Sequence, residues 1–107
     1  ELATVRAKLE FLRLANWKVA SSPALDVASA STIKVFGTEF YLDAVRRMME
    51  VVGPQAYLED GSHAAVLHGR LEKITRGYLI LTFGGGVNEV QRELIAMFGL
   101  DMPHSGR

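Results

Sequence analysis

Residues 83–92 (Phe-Gly-Gly-Gly-Val-Asn-Glu-Val-Gln-Arg) form the stretch best equipped for chemistry. Consecutive glycines let a backbone come close to a ligand, and a helix starting just after them offers unpaired N–H groups that attract anions. A nucleotide phosphate loop would continue with Gly-Lys-Ser/Thr, and a dinucleotide fingerprint would need a strand before it and a spaced third glycine. Val87 and Asn88 follow Gly86 instead. On residue chemistry alone the run reads as a structural tight turn, with a cofactor contact as the alternative. Arg76 and Arg92 flank it and could steer an anion, though they fit salt bridges between helices better. Glu89 would sit in the first turn of the following helix, where it suits the helix dipole. It is also the local carboxylate available for proton transfer.

Other reactive side chains fall into less telling patterns. His63, His68 and His104 lack the i,i+4 spacing that puts two ligands of a metal on one helical face. Glu59-Asp60-Gly61 is a turn signal rather than an acid/base pair. The chain has no cysteine, which excludes disulfides and thiolate chemistry. Lys plus Arg (12) balance Asp plus Glu (12), so no basic excess points to nucleic acid or to an anionic membrane. The apolar run at 78–81 is far too short to span a bilayer. Hydrophobic residues make up 49% of the chain, enough for one globular domain in 107 residues. No basic-then-apolar signal region opens the chain, and its start at Glu1 rather than Met suggests a piece of something longer. Such a piece would be marginal unless it associates.

The elements that must position the glycine run read as helices. Over 1–21, Leu2, Val5, Leu9, Leu12, Asn16 and Val19 recur at steps of three and four. Phe11, Leu14 and Trp17 lie off that stripe, so this helix is expected to pack between neighbours, with Trp17 as core or interface filler. Ser21-Ser22-Pro23 breaks it. The next helix runs from about 24 or 26 to 52, with Ile33, Phe36, Phe40, Ala44, Met48 and Val52 inward and an exposed polar side of i,i+4 pairs, Glu39 to Asp43 to Arg47 and Arg46 to Glu50. Small residues at 28–31 permit close approach of another helix. Gly53-Pro54 ends it. After a loop over 55–62, a third helix is expected over 64–81, despite Gly69 and Gly77. A strand at 78–83 is rejected because no partner strand is visible. Asn88 is read as the N-cap of a last helix, with Gln91 completing a capping box and Gly99 closing the helix after Phe98. The fold class expected is all-α: an antiparallel up-and-down bundle of three long helices and a shorter last one, in a single domain over 1–107.

With the elements in this order, the chain resembles the C-terminal helical domain of the acyl-CoA dehydrogenases. Leu9-Glu10-Phe11-Leu12-Arg13-Leu14 resembles one helix motif of that family, and Ala28-Ser29 through Lys34-Val35-Phe36 another. Glu50-Val51-Val52-Gly53-Pro54-Gln55-Ala56-Tyr57 sits where the family has Q-x-x-G-G-x-G-Y. Gly86 through Arg92 sits where it has G-T-[SN]-[EQ]-I-Q-R.

The resemblance implies a flavoprotein that desaturates an acyl-CoA thioester between its α and β carbons. A carboxylate would remove the α proton and FAD would take the β hydride. The domain would lie at the centre of a homo-oligomer, or of a hetero-oligomer with another acyl-CoA dehydrogenase chain. An electron-transfer flavoprotein-like acceptor would follow, in a bacterial cytoplasm rather than a mitochondrial matrix. Residues Glu50, Gly53, Pro54 and Gln55 would lie near a partner's cofactor, and Gly86, Val87 and Glu89 near the chain's own. The position of the usual catalytic glutamate holds Gly85, the threonine position holds Val87, and Glu50 replaces a glutamine. The resemblance therefore implies no catalytic residue within 1–107. It leaves a base supplied from upstream or, the reading preferred here, a silent subunit paired with an active one. The alternative is a helical module used only for assembly.

Overall fold

Asp26 starts the helix on which the other three rest. Its carboxylate accepts the N–H groups of Ala28 (3.1 Å) and Ser29 (3.2 Å), the free donors of a first helical turn. The helix so capped, α2 (Val27–Val52), ends at Gly53, whose φ of 80° and ψ of −155° only glycine adopts readily. A computed structural model describes residues 1–104 and 106. Besides α2 it contains α1 (Leu2–Ala20), α3 (Arg70–Tyr78) and α4 (Asn88–Leu100). Three 3-10 turns link them, at Pro54–Tyr57, Val66–Gly69 and Leu79–Thr82. No strand occurs among the described residues, and the all-α class holds.

All three outer helices run antiparallel to α2. Lys8 of α1 donates to Asp43 (3.1 Å), and Arg47 reaches back to Glu1. Thr75 of α3 meets Met49 (3.0 Å), while Asn88, at the start of α4, meets Thr38 (3.1 Å). Hence α3 lies along the C-terminal half of α2 and α4 along its N-terminal half. Two small cores follow from this division. Leu12, Phe40 and Ala44 hold α1 to α2, with Val5, Ile33 and Phe36 against them. Val45, Met49, Ala56 and Leu71 join α2, the 54–57 turn and α3. Ring contacts Phe11–Phe36–Phe40–Tyr41–Tyr78 run from one core to the other.

Several expectations are corrected by this packing. The third helix begins at Arg70 rather than 64, because Leu67, His68 and Gly69 are successive left-handed residues (φ 54°, 52° and 64°), which no right-handed helix can contain. It is therefore shorter than the last helix. Gly99 does not close α4. It lies inside the helix, where an added Cβ would come 3.1 Å from Ala28, and Asp101 at φ 52° is the cap. The small residues early in α2 thus do serve close approach. Trp17 is no core residue: it is 66% exposed, beside Phe11 and Leu14 at 57% and 67%. The radius of gyration, 17.0 Å, exceeds the ~13 Å of a compact domain of this length, so apolar faces stay open on an elongated body.

Asp43 joins α1 to α2. Its carboxylate accepts from Arg47 Nε (2.9 Å) and Lys8 Nζ (3.1 Å), and these partners, Arg47 first, hold it below the ordinary aspartate range. A depressed folded value stabilises the fold above the unfolded one, near pH ~4, and the gain disappears as pH falls through the folded value. Thermal melts should therefore lose stability below about pH 4, and Asp43→Asn should flatten that acid limb. Both partners are partly exposed, so we expect an effect below about 1 kcal/mol. An unchanged acid limb in the variant would show that Asp43 does not couple these helices.

Candidate functional site

The glycine run forms a turn at the head of α4, held on each side by different means. Behind it, the Phe83 and Gly84 N–H groups donate to Ile80 O (3.0 and 2.9 Å). Within it, Gln91 Nε2 donates to the Gly85 carbonyl (3.0 Å), and Lys34 Nζ of α2 donates to the Gly86 carbonyl (2.6 Å). Gly85 and Gly86 both have positive φ (71° and 93°). An added Cβ at residue 85 meets nothing within 4 Å, so that side of the turn is open.

Asn88 is not the expected cap. Val87 occupies the cap position, and Asn88 is the first residue of α4, only 4% exposed. Its Oδ1 accepts from Lys34 Nζ (2.6 Å), and its Nδ2 donates to Thr38 Oγ1 (3.1 Å) and Glu39 Oε1 (3.4 Å). A buried amide satisfied at both ends fastens two helices, and that use outweighs capping. Gln91 likewise serves the Gly85 carbonyl rather than a capping box. Arg92 pairs with Glu39 and so bridges α4 to α2, whereas Arg76 pairs with Glu72 (2.6 Å) inside α3 and joins no second helix.

Lys34 stands in the motif of 28–36 and Glu39 on the polar side of α2, but neither their bonds to the glycine turn nor that of Thr38 is foreseen in the sequence. The available signal was Lys34 and Thr38 at i,i+4 amid the apolar residues of α2, on one helical face. Glu89 lies exposed in the first turn of α4 and lines a groove with Arg92, Met97, Met102 and Pro103. Val87 is exposed at the turn's exit.

The second candidate segment stands apart. Glu50 is exposed on the last turn of α2, Gly53 terminates that helix, and Pro54 opens the 3-10 turn. Ala56, 1% exposed, anchors the turn in the core with Leu71, while Gln55 and Tyr57 face outward. Thr38 marks the level of the glycine turn along α2. Gly53 lies fifteen residues further on, about 22 Å at ~1.5 Å per residue. The fold therefore brings Gly85, Gly86 and Val87 together and keeps Glu50, Gly53, Pro54 and Gln55 at the other end. Among the described residues no helix is long and apolar enough to cross a membrane.

Comparison with known proteins agrees with the all-α fold. The family described as acyl-CoA dehydrogenase, C-terminal domain, matches residues 1–100. Acyl-CoA dehydrogenase FadE26 of Mycobacterium tuberculosis is 49% identical across 99% of this chain and 28% of its own length. A crystal structure of the ChsE4-ChsE5 complex from Mycobacterium tuberculosis superposes with a TM-score of 0.92 at 51% identity, covering 98% of this chain and 27% of that one. A structure titled Tcur3481-Tcur3483 steroid ACAD superposes with a TM-score of 0.91 at 41% identity, covering 97% and 28%. The chain thus spans just over a quarter of the length of these relatives.

Proposed function

The chain belongs to the acyl-CoA dehydrogenase family, as its C-terminal domain, and from that premise we propose that the whole protein takes part in FAD-dependent α,β-desaturation of an acyl-CoA thioester. Its α-helical piece contributes one wall of the flavin and substrate site and much of the subunit contact. The observation that carries this reading is the glycine turn: fastened to α2 by Lys34 and Asn88, and open where an added Cβ at Gly85 finds no neighbour.

The two segments suit FAD unequally. An open turn with glycine at 85 and 86 leaves room for a flat ring system. Glu50, exposed beside the Gly53–Gln55 bend, would bring a negative charge toward the phosphates of a partner's cofactor and disfavour them. FAD, when bound, supplies the hydride acceptor. Gly85 cannot take a proton, so the base comes from residues outside 1–107, in this protein or in its partner. The exposed apolar residues Phe11, Leu14, Trp17, Ile80 and Phe83 supply surface for association. One similar structure is the ChsE4-ChsE5 complex and another joins Tcur3481 with Tcur3483, which supports a mixed assembly of two acyl-CoA dehydrogenase chains over a homo-oligomer. The likeness to the Tcur3481-Tcur3483 steroid ACAD supports a bulky acyl group. The electron acceptor would be of the electron-transfer flavoprotein kind, and the setting a bacterial cytoplasm.

The test is to purify the full-length protein alone and together with candidate partner chains of the same family. Flavin absorbance and its bleaching by straight-chain and steroid side-chain CoA thioesters are then recorded. We expect flavin and turnover in the mixed assembly, and weak or no flavin in the protein alone. A colourless, inactive oligomer in every combination would leave the helical assembly module as the correct reading.

A further inference from the structure

Lys34 stands where the glycine turn, the start of α4 and the middle of α2 meet. Its ammonium has three protons and finds three acceptors: the Gly86 carbonyl (2.6 Å), Asn88 Oδ1 (2.6 Å) and, more distantly, the Thr82 carbonyl (3.5 Å). These acceptors bracket the turn on both sides. The other bonds holding residues 83–87 come from close in sequence, from Ile80 and Gln91. Lys34 lies 48 to 54 residues away from its acceptors and ties the turn to a different helix. Asn88 gives its amide protons to Thr38 and Glu39, which turns its oxygen toward Lys34. The ammonium therefore meets a pre-aimed acceptor, and bonds to an ionised donor are the stronger class.

We propose that Lys34 is a positioning residue for the flavin- and substrate-facing turn. By gripping the Gly86 carbonyl and the Asn88 amide, it fixes the peptide planes at 85–87 relative to α2. This rests on the reading that the turn borders the site of an acyl-CoA dehydrogenase. Lys34 belongs to neither core cluster, so its loss should loosen the turn rather than unfold the helices.

The experiment uses the full-length protein in the assembly that binds flavin, with Lys34→Met, Lys34→Arg and the control Lys8→Met. Lys8 bonds Asp43 on the α1 side of α2 and none of the turn's acceptors. Amide hydrogen exchange is read at Phe83, Gly84 and Gln91, whose N–H groups are bonded on either side of the turn, alongside kcat and KM for a CoA thioester. In Lys34→Met we expect exchange at these three amides to quicken about tenfold, and kcat to fall about tenfold with KM nearly constant. Lys34→Arg, which keeps a cationic donor, should recover part of both, and Lys8→Met should change neither. Unchanged exchange at these three amides in Lys34→Met would overturn the proposal. So would a uniform rise across all helices, which would make Lys34 a general stabiliser. Quickened exchange with kcat intact would overturn its positioning role. A parent assembly without flavin or turnover would refute the functional reading itself, and with it the catalytic consequence, while exchange still decides whether Lys34 holds the turn.

Discussion

Gly69→Ala is expected to remove about 2–4 kcal/mol of stability, a large share of what a domain of this size possesses. Two costs combine. Residue 69 sits at φ 64°, the third of three left-handed residues, where an L side chain costs about 1–2 kcal/mol. Its Cβ would also lie 2.4 Å from the Asp60 N and 2.8 Å from the Glu59 carbonyl carbon. Those are backbone atoms, so no side chain can swing aside, and the 59–61 turn would have to move off α3. Leu71, two residues on, is a member of the core that holds α3 to α2, so the displacement reaches packed side chains. Gly77→Ala is the matched control. It lies inside α3 with nothing within 4 Å of the added methyl, and should gain about 0.5–1 kcal/mol. Urea titrations followed by circular dichroism measure both. Equal midpoints for parent and Gly69→Ala would show that the 59–61 turn does not press on residue 69.

The contrast between those glycines marks where the sequence could be read and where it could not. Periodicity located α1, α2 and α4 because each has an apolar face recurring at the helical period, and Asp26 and Gly53 punctuate α2 with ordinary cap chemistry. Gly69 and Gly77 look alike in a sequence. Only the approach of the 59–61 backbone makes one of them indispensable, and nothing local encodes that approach. Asn88 poses the same difficulty: an asparagine after glycines is a fair cap candidate until a lysine from 54 residues away claims its oxygen. Gly99 reads as a stop signal until Ala28 of α2 is seen to need the space. Trp17 reads as core or interface filler because its type is usually buried, yet no other part of the described chain covers it, and it stays 66% exposed. The candidate turn stood out through the resemblance of 86–92 to a family motif. Its fastening did not, because Lys34, Thr38 and Glu39 act across helices.

Gly86→Val should show the opposite balance from Gly69→Ala: a large loss of activity with a small loss of stability. At φ 93° a β-branched residue is strained, and its Cβ would fall 2.7 Å from Gln91 Nε2. That atom ends a flexible side chain, so the clash is relieved when Gln91 swings away and releases the Gly85 carbonyl. The cores lie elsewhere, and we expect no more than about 1–2 kcal/mol of destabilisation. The turn, however, loses one of its two carbonyl anchors and takes on a strained peptide. If it borders the reacting carbons, a shift of about 1 Å there costs roughly 100-fold in kcat/KM. Gly85→Ala separates the causes, since it imposes a similar backbone strain at φ 71° without touching Gln91. A loss confined to Gly86→Val would assign the effect to the Gln91 anchor, and equal losses would assign it to backbone conformation. Activity in Gly86→Val within threefold of the parent, in an assembly that keeps its flavin, would mean that the turn does not face the chemistry.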